Sequence, residues 1–156
     1  MRRALPSPVC AEQIRVALLE ARPVGLTTQQ LIAATGLSLA QVRRGVSYLR
    51  DFLAAQHLQP LIWTRGEGYR LDPPVKELIA YEMAQFKMNL HRITRFLAAT
   101  VDPHFGQTPK EEWIGLVHDQ LNGLKAGFKA LTLLEPPPEQ RPDAARARPS
   151  RRRVGS

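Results

Sequence analysis

The sequence predicts a mainly α-helical protein with one small β-hairpin. Two observations carry that expectation. Apolar residues recur at intervals of three and four residues through most of the chain, and Pro- or Gly-marked breaks divide these stretches into five helices. A single pair of β-prone runs flanks a glycine-bearing turn.

The first helix begins at Ser7, with Pro8 in the first helical position, where the missing N–H costs no hydrogen bond. Ile14, Ala17, Leu18 and Ala21 form its apolar face, and Pro23 with Gly25 ends it. The second opens with Thr27-Thr28-Gln29-Gln30, a capping box in which Thr27 caps and Gln30 reaches back. It runs through Leu31, Ile32 and Ala34 to Thr35, and Gly36 supplies a left-handed exit. The third helix has a second capping box, Ser38 with Gln41. Its apolar residues Leu39, Val42, Val46, Leu49 and Leu53 step 3, 4, 3, 4 along one stripe. Ala40, Arg44, Ser47, Tyr48 and Asp51 occupy the opposite direction, with Gln41 and Arg43 on the flanks.

Leu61-Ile62-Trp63-Thr64, Arg65-Gly66-Glu67-Gly68 and Tyr69-Arg70-Leu71 then read as strand, turn and strand. Arg65 projects from the turn and Arg70 lies on the return strand; Trp63 is expected in the hairpin core and Tyr48 packed against the hairpin. Three helices followed by a hairpin is the winged helix-turn-helix order.

Pro73-Pro74 opens a fourth helix expected to run to about Ala99, in which Ile79, Met83, Phe86, Leu90, Ile93 and Leu97 step 4, 3, 4, 3, 4. Thr108-Pro109-Lys110-Glu111 reads as a third capping box opening a fifth helix, in which Ile114, Val117, Leu121, Leu124, Phe128 and Leu131 step 3, 4, 3, 4, 3. Both series are heptad seams. One helix pair has too little core to cover both, so the expectation is a homodimer joined through these twelve residues as a four-helix arrangement. The alternative is a monomer whose two helices fold back on the first three.

The 156 residues fit one domain with an appendage, and 44% hydrophobic content excludes a wholly disordered chain. A net charge of +8 points to an anionic partner, nucleic acid before a membrane surface. Its distribution is informative. Residues 1–72 hold 9 Lys/Arg against 5 Asp/Glu, residues 73–134 hold 7 against 6, and residues 135–156 hold 6 against 3. The expected organisation is therefore a DNA-binding domain at 1–72, a helical dimerisation hairpin at 73–134 and a disordered Pro/Arg-rich tail at 135–156.

The stretch from Leu31 to Leu49 resembles the helix-turn-helix of winged-helix bacterial and phage regulators. A Gly-Leu-Ser turn at Gly36-Leu37-Ser38 precedes a helix with Val42, Arg44, Val46 and Leu49 at the family spacing, and Arg65 to Leu71 is similar to the family's wing. The resemblance spans roughly residues 10–72, and a fainter one is to the RacP-like proteins of actinobacterial mobile elements. Gly45 departs from the pattern, since a better helix former is usual there; it is expected to admit a close approach of the backbone to DNA or to the second helix.

The resemblance implies a third helix lying in the major groove of double-stranded DNA. Ser38, Ala40, Gln41, Arg43, Arg44 and Ser47 then face the DNA, with Arg44 suited to guanine and Gln41 to adenine. Arg43, Arg50 and Thr28 are placed for phosphates, and Arg65 for the minor groove or flanking backbone, with Arg70 behind it. Arg2, Arg3 and the tail arginines would add salt-sensitive attraction. The function expected is a sequence-specific transcriptional regulator. The alternative is a mobile-element replication or partition accessory, or a phage protein engaging a host protein through the same fold.

No catalytic, cofactor or metal site is expected. His57, His91, His104 and His118 lack metal-ligand spacing, and no phosphate-binding or nucleophile motif occurs. The single cysteine, Cys10, excludes an internal disulfide and reads as a core residue. No apolar run reaches the length of a signal core or a membrane span, so a cytoplasmic location is expected.

Overall fold

The computed structural model describes residues 5–135. The expected disordered tail beyond Glu135, and Arg2 and Arg3, lie outside the described residues. The described chain is mainly helical with one two-stranded antiparallel hairpin: α1 (Ser7–Ala21), α2 (Thr28–Thr35), α3 (Leu39–Tyr48), β1 (Leu61–Thr64), β2 (Gly68–Leu71), α4 (Val75–Phe96) and α5 (Glu112–Thr132). Both α3 and α4 continue through a π-helical turn, Leu49–Leu53 and Leu97–Val101, into short α-helical ends at Ala54–Gln56 and Asp102–Gln107.

Two of the three capping boxes form. The Thr27 and Gln30 pair closes the start of α2, and Ser38 with Gln41 closes that of α3: each cap oxygen accepts from the backbone N–H three residues on, and each glutamine oxygen accepts from the cap N–H. Gly36 leaves α2 at φ 68°. Cys10, Ile14 and Leu18 of α1 pack with Leu31, Val42, Val46, Leu49 and Leu71 in the first core.

Gly45 corrects one expectation. It faces α1, not DNA or α2: a Cβ built there would lie 2.6 Å from Ile14 Cδ1 and 3.0 Å from the Cys10 carbonyl carbon. The absent side chain is what lets α1 and α3 touch.

The strands pair Leu61 with Leu71, Ile62 with Arg70, Trp63 with Tyr69 and Thr64 with Gly68. A three-residue turn is closed by Gly68 at φ 76°, a left-handed conformation that favours glycine. Leu26, just before α2, exchanges two 2.9 Å backbone hydrogen bonds with Tyr69 and so clips the hairpin to the entrance of α2. Trp63, expected in the core, is 50% exposed. It shares a face with Tyr69 and Leu71, but the hairpin outruns the three-helix core before its tip. Tyr48 has Phe52 as its ring partner, with centroids 4.8 Å apart. Leu39, assigned to the apolar stripe of α3, is also exposed, because it lies in the first turn beyond the edge of α1.

The fourth helix does not stop near Ala99; its helical path continues to Gln107 through Pro103. Ile93, Leu97, Val101 and Phe105 are spaced by four, which overshoots the 3.6-residue turn each time. One widened turn at Leu97–Val101 keeps them on one face. It also precedes Pro103, whose ring would otherwise press on the carbonyl of an ordinary turn.

This extension removes the third capping box. Thr108 ends the preceding helix, its hydroxyl donating to the His104 carbonyl at 3.2 Å, and α5 starts at Glu112 without a side-chain cap. Leu97, Val101 and Ile114 are buried in a second core, flanked by Ile93, Phe105, Val117 and Leu121. The principal packing lies within each half, α1 on α3 and α4 on α5. At the junction Arg70 pairs with Glu67 at 3.3 Å and with Glu77 of α4, and Arg22 pairs with Asp72 at 3.1 Å.

Candidate nucleic-acid interface

The physical chemistry of α3 divides its residues sharply. Val42, Gly45, Val46 and Leu49 are buried, so the helix turns Ala40, Arg43, Arg44, Ser47 and Asp51 outward at 100° per residue. Arg43 and Arg44 are exposed and have no ion pair or hydrogen bond among the described residues. Asp51, the first acidic residue of this face, is bonded to Arg50, Nε to Oδ1 3.2 Å. Arg50 also reaches Ser47 Oγ at 3.4 Å. The face therefore presents two free guanidinium groups ahead of its one carboxylate.

Beside them is a shallow groove lined by Ser7, Arg43, Arg44, Ser47, Tyr48, Asp51 and Phe52. Ser7 brings the start of α1 to this surface. Phe52, 57% exposed, was missed by the sequence reading because it falls outside the stripe of α3. An aromatic residue off the apolar stripe is the signal that would have found it.

The other candidates are placed differently. Ser38 and Gln41 are engaged with each other: the Ser38 N–H donates to Gln41 Oε1 at 2.9 Å. The Gln41 oxygen is thus occupied in capping, leaving its NH2 group outward. Thr28 is partly buried in the first turn of α2, on the side away from the two arginines' groove. Arg65 stands exposed at the hairpin turn. Arg70 is only 14% exposed and is held by Glu67 and Glu77, so it ties hairpin to α4 and does not project with Arg65.

The expected dimer seam is divided too. Ile93, Leu97, Ile114, Val117 and Leu121 pack inside the chain. Ile79, Met83, Phe86, Leu90, Phe128 and Leu131 are half-buried, and Leu124 is exposed. Among the described residues no group of three or more His, Cys, Asp or Glu side chains is placed to hold a metal ion, and no helix is long and apolar enough to cross a membrane. Set against family models, curated proteins and solved structures, the chain matches none.

Proposed function

We propose that residues 5–72 act as a winged helix-turn-helix that reads duplex DNA, and that the protein works as a homodimeric transcriptional regulator. The observation that carries this reading is the outer face of α3, where Arg43 and Arg44 are exposed and unpaired while every buried residue of the helix faces α1 or α2. An α-helix fits the major groove, and a guanidinium donates two bonds to the O6 and N7 of guanine. Arg44 takes this role, Arg43 and Arg50 meet phosphates, and Arg65 reaches the flanking groove from the wing. With its oxygen committed to Ser38, Gln41 reads adenine in two-bond fashion only by opening the capping box; Arg44 therefore carries most of the discrimination. Arg70 is assigned a structural role.

Site selection from random duplexes followed by fluorescence anisotropy tests the proposal. Arg44→Ala should lose affinity for the selected site by about 1–3 kcal/mol, roughly 5- to 150-fold, with a smaller loss on random DNA. Arg43→Ala should lower the salt dependence by about one unit of slope. Unchanged affinity on removing Arg44 refutes the placement of α3. The exposed Phe52 beside Tyr48 favours a second reading, an interaction surface for another protein; absence of any DNA affinity together with recovery of a specific protein partner that Phe52→Ala releases would support it.

A further inference from the structure

We infer that the outer face of α5, away from α4, is where a second copy of this chain docks, in antiparallel fashion about a two-fold axis near Asn122. This rests on the homodimer reading above and names its surface. The seam expected from sequence is largely spent inside the chain, since Ile93, Leu97, Ile114, Val117 and Leu121 bury one another. A different stripe remains. At 100° per residue, Trp113, Leu116, Gln120, Leu124, Gly127 and Leu131 fall within roughly 80° of arc, about 120° round from the buried Ile114. No Asp, Glu, Lys or Arg lies within that arc. Trp113 is 72% exposed, Leu116 55% and Leu124 53%, on a helix whose opposite side is packed.

Glycines give the second, independent argument. A Cβ built on Gly123 or Gly127 meets nothing within 4 Å, so packing within the chain requires neither. Each weakens the helix interior where alanine would fit. The stripe is also ordered by size, with large residues at its start (Trp113, Leu116) and small ones towards its end (Gly123, Gly127, Ala130).

An antiparallel copy sets these halves against each other. Leu116 then enters the hole framed by the second copy's Leu124, Gly127, Phe128 and Leu131. Trp113 enters the one bordered by its Gly127 and Ala130, and the two Gln120 amides meet at the axis. An isologous contact has to be complementary to itself, and this face satisfies that in size and has no like charges to oppose. A partner of other sequence has no such constraint to meet.

The test is the mass of the full chain by light scattering after gel filtration, over a micromolar dilution series and without DNA. The wild type should run at twice its 17.5 kDa, and Leu116→Glu and Gly127→Leu at once that mass. Gly127→Leu guards against misfolding: its side chain enters open space in the single chain, so helicity and the unfolding midpoint should hold or rise as the dimer is lost. A wild type that is monomeric throughout, a Gly127→Leu protein that remains dimeric, or a dimer broken by Ile79→Glu alone would each overturn the inference. DNA affinity is read separately, so its absence would sink the regulator proposal and leave this contact standing.

Discussion

Replacing Gly45 by alanine separates packing from helix propensity. Propensity alone favours alanine by about 1 kcal/mol in a helix interior. Here the new methyl would lie 2.6 Å from Ile14 Cδ1 and 3.0 Å from the Cys10 carbonyl carbon, where carbon atoms rest at about 3.5–4.0 Å. Ile14 is fully buried, so its δ-methyl has no free space to enter, and the Cys10 carbonyl belongs to the backbone of α1. The helices have to move apart, an overpacking cost of about 1–3 kcal/mol. The net expectation is a loss of about 1 kcal/mol, or roughly 4–8 °C for a unit of this size. Gly115→Ala is the matched control: its Cβ meets nothing within 4 Å, so the same change should stabilise by about 0.5–1 kcal/mol. Denaturant midpoints followed by circular dichroism measure both. A Gly45→Ala midpoint at or above the wild type would refute the argument that α1 needs a glycine opposite it.

Other consequences are measurable in the same way. Ser38→Ala removes the cap of α3 and should cost about 0.5–2 kcal/mol in the denaturant midpoint. Leu97→Ala opens a cavity in the second core, where only Leu97, Val101 and Ile114 are buried, and should cost about 2–5 kcal/mol in that half of the molecule. Chiefly through its hydrogen bond, Arg15 holds the Glu12 carboxyl below its usual pKa of 4.5. The pair therefore stabilises fully above that value and loses its contribution as pH falls below it. Because Glu12 is solvent-facing the effect is small, and Glu12→Gln should flatten the acid limb of a stability–pH curve slightly.

Much of the first half was legible because its signals are local. The pairs Thr27 with Gln30 and Ser38 with Gln41 sit three residues apart, and Gly68 fixes its turn through its own φ. The pairing of Leu26 with Tyr69 was not legible: it joins positions over forty residues apart, and one isolated leucine has no period. Trp63 was misplaced because alternation assigns a face and says nothing of where the core beneath that face ends. Arg70 looked like a companion to Arg65, and only the arrival of Glu77 from α4 shows that it is held. In the second half, the 4-4-4 spacing of Ile93, Leu97, Val101 and Phe105 was present in the sequence, but Pro103 argued for an ending. The spacing prevailed because a π turn accommodates both. Heptad spacing likewise marked residues that want burial without saying whether a neighbouring helix of the same chain or of another supplies it.

The widened turn at Leu97–Val101 makes the length of this segment a matter of angle as well as distance. Deleting one of its five residues would restore ordinary α-helical winding and rotate everything beyond it by about 100°. Phe105 would leave the second core, and the Thr108–Glu111 connection would start from another side of the helix, carrying α5 off its seat. A residue lost from the connection itself would only shorten a surface loop. Tolerance to deletion should thus be lower inside a continuous helix than in the turn that follows it, and a scan of single-residue deletions from Phe96 to Glu111 should show a minimum at the π turn.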